Sequence, residues 1–137
     1  MSPSMRWLRF NSVGAMGMVV QTIALTAIHR AWSGPVVLES IAAVEITLLH
    51  NFLWHLRYTW RDRASRESWQ VQLLRFQCSN GVVSLAGNAA IMFLLVNLGH
   101  MRPLAANAIA ILICSIVNFC LGDAFVFAAE NSGAHNA

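Results

Sequence analysis

Apolar residues gather in four runs, 10–28, 36–56, 75–98 and 104–127, parted by short polar stretches. Each run is about 20 residues long, the length a helix needs to cross a hydrocarbon core of ~30 Å. The pattern predicts an all-α membrane protein with four transmembrane helices. A short polar start, 1–9, carries Arg6 and Arg9. Turns at 29–34 and 99–102 lead into Pro35 and Pro103. Proline suits a helix start, where its missing N–H costs nothing. Residues 57–67 form the one substantial hydrophilic loop, with Arg57, Arg61, Arg63 and Arg66 set against Asp62 and Glu67. Residues 69–74 read as an amphipathic approach to the third span, and 128–137 as a small polar tail that frays. A cleavable signal peptide is the rival reading of the first run, since Ala31-Trp32-Ser33 loosely resembles a cleavage site.

An internal repeat argues for four retained spans. Asn51-Phe52 closes the second run and Asn118-Phe119 the fourth, 67 positions later. Both stretches end aromatic, β-branched, aromatic: Tyr58-Thr59-Trp60 and Phe125-Val126-Phe127. Arg9-Phe10 answers to Arg75-Phe76, Gly14 to Gly81, Gln21 to Asn88 and, approximately, Pro35 to Pro103. The chain therefore divides into repeat 1 (7–60), repeat 2 (73–127) and the tail within one membrane domain, 1–137. Each repeat is a helical hairpin. Two crossings return the chain to its starting side, so the two hairpins run parallel.

Composition agrees. Apolar residues make up 57% and charged residues 11%, where soluble domains carry roughly 25% charge. Mean hydropathy is +0.55. All nine basic residues are arginine. Seven (Arg6, Arg9, Arg57, Arg61, Arg63, Arg66 and Arg75) lie on the side of the termini and the central loop, against Arg30 and Arg102 in the opposite turns. The positive-inside bias puts both termini in the cytoplasm. Arginines flanking spans suit anionic lipid headgroups and lipid-linked phosphates, and not nucleic acid. Cys78, Cys114 and Cys120 lie within spans with no C-x-x-C pair, which excludes a disulfide frame and a metal site.

Polar groups inside spans are costly and usually face protein or water. Glu45, mid-span in the second helix, reads either as a proton-coupling or substrate-binding carboxylate or as a protonated group bonded to a neighbouring helix. His50 and His55 stand five apart, a poor spacing for one metal. Asn51 and His55 share a helix face; Asn51 and its twin Asn118 could bond across helices or hold a headgroup, and His55 reads as an interfacial histidine or as polar lining. Gly14 with Gln21, and Gly81 with Asn88, read as packing faces first and polar lining second; Gly17 and Ser84 match. Arg9, Arg57 and Arg75 abut the spans and are the candidates for phosphate, since a guanidinium fork fits phosphate oxygens. The remaining arginines are explained by topology and lipid. Asp123 needs a cation, which Arg9, Arg57 or Arg75 could supply. No nucleophile–base pair, phosphate-cradling glycine loop or zinc pattern is present, so the sequence points away from an enzyme and calls for no metal or cofactor.

These residues resemble the GtrA-like family, which also supplies the membrane domain of some dolichol-phosphate mannose synthases. The resemblance spans residues 7–128, nearly the whole chain, and rests on Arg9-Phe10 with Gly14, Arg75-Phe76 and the two Asn-Phe endings. His55-Leu56 and Gly122-Asp123 stand where the family's ending usually carries Asn-Arg, and Arg57 could serve for the missing arginine. The resemblance implies a translocase in a bacterial inner membrane. It would move a polyprenyl-phosphate-linked sugar to the outer leaflet for cell-envelope polysaccharide or glycolipid synthesis. Arg9, Arg57 and Arg75 would take the phosphate, while Gln21, Asn51, His55, Asn88 and Asn118 line the sugar path and Glu45 couples a proton. Four helices scarcely enclose such a path, so a homo-oligomer is expected. Two other readings stand: a non-transporting anchor for a membrane glycosyltransferase, and a small multidrug-type exporter.

Overall fold

The computed structural model describes residues 1–32, 34–63 and 67–128. Arg66 and the tail from 129 onward lie outside the described residues. The chain is helical, and no strand occurs among the described residues. Four helices are long and apolar enough to cross a membrane: Pro3–Ala31, Val36–Thr59, Trp69–Leu98 and Pro103–Val126. They fall into two compact units, Met1–Asp62 and Arg63–Ala137.

In the first unit, α1 (Pro3–Ala31) packs along α2 (Val36–Trp54). Residues expected to form a polar start are already helical. Ser2 caps them by accepting from Met5 N–H at 3.4 Å, and Pro3 takes the first helical position. Pro35, expected to start a helix, instead stands just before it as N-cap. Hydroxyls within the spans return to the carbonyl one turn back: Ser12 to Leu8, Thr22 to Met18, Thr26 to Thr22 and Thr47 to Ala43, at 2.8–3.0 Å. Without water, this is how a membrane helix satisfies a hydroxyl. The buried stripe on α1 is Arg6, Phe10, Val13 and Gly17; on α2 it is Glu39, Ala43, Thr47 and Phe52. Lipid is as apolar as leucine, so van der Waals contact holds such helices together, and small residues bring their backbones close. Ala43 is fully buried for this reason. At its end α2 widens into a π turn, His55–Thr59, closed by Trp60 N–H on the His55 carbonyl at 2.9 Å. The extra residue in that turn brings both Thr59 and Trp60 to the buried side.

In the second unit the third span is continuous but uneven. It runs as α3 (Trp69–Val82), a π turn (Val83–Gly87), α4 (Asn88–Met92) and a second π turn (Phe93–Leu98). Residues 69–74, expected to lie along the interface, belong to this helix. The fourth span, α5 (Pro103–Leu121), begins on its proline as expected and also ends in a π turn, Gly122–Val126. Its buried residues recur every fourth position, Ala106, Ala110, Cys114 and Asn118, continuing through Gly122 and Val126. That is the i±4 ridge by which helices pack. The Cys114 thiol donates to the Val83 carbonyl at 3.5 Å, at the start of the widened turn. All three cysteines are free.

Candidate functional site

The ends of α2 and α5 hold most of the chain's arginine chemistry. A helix leaves its last carbonyls without intrahelical donors. In the first unit Arg9 takes one of them: its Nη1 donates to the Tyr58 carbonyl at 3.0 Å, and its guanidinium lies 4.5 Å from the centroid of the Tyr58 ring. Behind it, Phe10 stacks on His55 at 4.8 Å, and Trp60 meets both rings edge-on. His55 Nδ1 lies 3.0 Å from Thr59 Oγ1. His55 is therefore buried inside an aromatic cluster, which corrects its reading as an interfacial histidine or part of an open lining. Phe10 covers the ring face that an isolated helix would present to headgroups.

Just past the span, Arg6 donates to Asp62 Oδ2 at 2.8 Å, and the N-terminal ammonium lies 3.4 Å from the same oxygen. Partial burial alone would raise the Asp62 carboxyl. Hydrogen bonds from its own backbone N–H, from Arg6 and from the terminal ammonium outweigh that, and hold it below the usual carboxylate range. A carboxyl depressed in the folded state stabilises above its unfolded pKa and loses that contribution as pH falls. The stability gap between wild type and Asp62→Asn, read by thermal unfolding in micelles, is thus expected to be full above the usual carboxylate range and to close as pH falls below it. A gap that stays constant would remove Asp62 as its source.

The second unit carries the same kind of cap. Arg75 lies 4.9 Å from the Phe125 ring centroid and donates to the Phe125 carbonyl at 3.4 Å. Its Nη1 also meets Glu67 Oε2 at 2.7 Å, so its charge is partly matched already. Phe76 and Phe127 pack with ring centroids 6.3 Å apart. Asp123 does have a cation, but not one of those expected. Arg63 Nη2 lies 2.8 Å from Asp123 Oδ1, and Arg63 Nη1 donates to the carbonyls of Asp123 and Phe127 at 2.6 and 2.9 Å. Arg6 on α1 and Arg63 in the loop, both assigned from sequence to topology and lipid alone, are thus built into the fold.

Among the other expected site residues, Arg57 is exposed on the first π turn. Asn51 is half-buried, lies over Gly17, and has Oδ1 3.2 Å from His50 Nδ1. Gln21 is exposed. Glu45 is also exposed, away from the α2 stripe that packs on α1. Asn118 is buried and Asn88 half-buried, and the Oδ1 of each is enclosed without a hydrogen-bond partner among the described residues. A Cβ built at Gly14 or Gly81 would meet no neighbouring atom within 4 Å, whereas one at Gly17 would stand 2.5 Å from Asn51 Oδ1, so the close packing of the first unit falls at Gly17. Sequence reasoning missed Glu39, the buried carboxylate at the α1–α2 turn. Its signal was available: an acid in the first turn after Pro35, where helix amides face it. No group of three or more His, Cys, Asp or Glu among the described residues is placed to hold a metal ion.

Four helices long and apolar enough to cross a membrane, two of them closed by an aromatic under an arginine, define a multi-pass α-helical membrane protein. A family model described as GtrA/DPMS, transmembrane domain, matches residues 9–127, and the chain belongs to that family. No curated protein matches the chain. The family consists generally of non-catalytic membrane proteins, and membership associates the chain with processes that use carrier-linked sugars.

Proposed function

We propose that the protein is a translocase that carries a polyprenyl-phosphate-linked sugar from the cytoplasmic to the outer leaflet of a bacterial inner membrane. The observation that carries this reading is the family match over residues 9–127. Other features support it. Seven of nine arginines lie toward the termini and the central loop, which favours cytoplasmic termini. The endings at 55–60 and 122–127 share a π turn, a buried closing aromatic and an arginine laid on the aromatic before it, which favours two parallel hairpin repeats. In this scheme exposed Arg57 makes the first phosphate contact. Arg9 and Arg75, oriented by ring and carbonyl, assist, and Glu67 yields Arg75 to the stronger anion. The enclosed oxygens of Asn88 and Asn118, with Asn51 and Gln21, meet sugar hydroxyls, while His55 positions the ending. A second copy of the chain would complete the path.

The test is reconstitution of the purified protein alone in liposomes with a labelled polyprenyl-phosphate sugar. Protein-dependent transfer between leaflets is expected, and Arg57→Ala should slow it about tenfold or more, the loss of one charge-assisted contact. An unchanged transbilayer distribution sinks the translocase. It would favour the second reading, a membrane anchor for a glycosyltransferase, which draws support from the family's description as GtrA/DPMS, transmembrane domain.

A further inference from the structure

A second set of rings runs along the open side of the second span and takes no part in the buried cluster at its end. His50, Trp54 and Tyr58 stand four residues apart and so share one face. Ring centroids are 6.2 Å apart from His50 to Trp54 and 6.3 Å from Trp54 to Tyr58, and the rings meet at 54° and 88°. Angled contacts do not use up ring faces as stacking does, and Trp54 and Tyr58 remain 43% and 39% exposed. At one end of this ladder Arg9 lies on the Tyr58 ring. At the other, half-buried His50 has Nδ1 3.2 Å from the Asn51 amide oxygen. A helix rises 1.5 Å per residue, so the ladder reaches about 12 Å from the arginines into the span. The second hairpin serves as an internal control. Its ending repeats the arginine on an aromatic, Arg75 on Phe125, but Val117 and Leu121 answer to His50 and Trp54. An interfacial belt needs only the closing ring. Neither a belt nor the packing of a hairpin calls for the two rings further in.

We propose that the His50–Trp54–Tyr58 ladder is the platform on which the sugar of a phosphate-linked lipid lies as it leaves the cytoplasmic leaflet. This rests on the translocase reading above and gives a task to His50 and Trp54, which that reading leaves unused. One broad face of a pyranose carries mainly C–H groups, and these suit the electron-rich face of an aromatic ring. Its rim carries hydroxyls, which enter hydrocarbon at high cost when unpaired. The imidazole, the indole N–H, the phenol hydroxyl and the Asn51 amide supply partners along the ladder. Arg9 and exposed Arg57 stand at the Tyr58 end, so a phosphate held there puts the attached sugar within reach of Trp54. Charge and rings thus match the two parts of one headgroup, in order. A soluble sugar phosphate shares that chemistry but gains nothing from rings that lead into a span, so the occupant is the lipid-borne form.

The test compares two lipids, a polyprenyl-phosphate hexose and bare polyprenyl phosphate, bound to the purified full chain in detergent micelles and counted by native mass spectrometry. Wild type should prefer the hexose lipid. Trp54→Leu should lower affinity for the hexose lipid roughly three- to tenfold, the loss of one ring face, and leave the bare lipid unaffected. Trp54→Phe keeps a ring and should recover part of the loss. No preference in wild type overturns the ladder. So does a Trp54→Leu loss absent from both lipids, or shared equally by both as for an ordinary interfacial anchor. Soluble hexose 1-phosphate binding as tightly as the hexose lipid overturns it too. Arg57→Ala should weaken both lipids; if it does not, the phosphate assignment of the translocase reading fails and the ladder does not. Should Trp54→Leu fail to fold, indole nitrogen NMR of wild type decides. The Trp54 N–H signal should shift with the hexose lipid and hold still with the bare one; equal shifts refute the proposal.

Discussion

Gly17→Leu splays the first hairpin, whereas Gly14→Ala leaves it intact or slightly more stable. A Cβ at Gly17 would stand 2.5, 2.6 and 2.9 Å from Oδ1, Nδ2 and Cγ of Asn51, well inside contact distance. Alanine fits only if the Asn51 amide swings aside and gives up its 3.2 Å approach to His50. Overpacking of this kind costs about 1–3 kcal/mol. Leucine finds no such escape, because Phe10 and Val13, buried on the same stripe of α1, hold the helix against α2. Its cost should exceed the upper end of that range and abolish a cooperative transition. Gly14 has nothing within 4 Å. A methyl there meets no protein atom and removes a helix-interior glycine, a gain of roughly 0.5–1 kcal/mol. Unfolding in micelles by a denaturing detergent reads both. Equal losses at positions 14 and 17 would mean that the Asn51 contact is not what requires glycine.

That contrast shows where sequence reasoning reached and where it stopped. The four spans were legible because the bilayer sets their length, and the prolines marked two of their starts. Partner choice was not. In a soluble helix the apolar stripe names the buried face, but in a membrane both faces are apolar and periodicity loses its meaning. Gly14 and Gly17 were therefore equivalent on paper, and only the crossing of α1 with α2 distinguishes them. His55 was misread for a related reason. Counting at helical spacing placed it on an open face with Asn51, but Phe10, 45 positions earlier, covers its ring, and the π turn carries Trp60 round to its edge. The charged pairs were harder still. Asp123 finds Arg63, 60 residues away, and Asp62 finds Arg6, 56 residues away, with several arginines equally available in sequence. Glu45 drew attention because it is a carboxylate in the middle of a span, while Glu39 looked like an ordinary first-turn acid until the turn folded over it.

Arg63→Met frees the end of α5. Arg63 carries three contacts at once: two carbonyls of the closing turn, at 2.6 and 2.9 Å, and the Asp123 carboxylate at 2.8 Å. Its side chain is only 16% exposed, so water replaces these contacts poorly. The carbonyl of Asp123 lies in the widened last turn, where regular helical bonding has ended, and that of Phe127 lies just beyond it. A hydrogen bond to a charged group contributes about 1.5–3 kcal/mol, and the three share one guanidinium, so the joint loss is about 2–4 kcal/mol. Hydrogen exchange should register it as roughly 30- to 1,000-fold faster exchange confined to residues 122–127, at tenfold per 1.4 kcal/mol. Arg63→Lys keeps the charge but not the fork, and should recover only part of the protection. Asp123→Asn leaves both carbonyl contacts in place and should cost less than half as much as Arg63→Met. If instead Asp123→Asn and Arg63→Met accelerate exchange equally, the ion pair alone holds the turn. In that case the carbonyl caps contribute little, and the parallel cap at Arg9 on Tyr58 loses its claim to order the other ending.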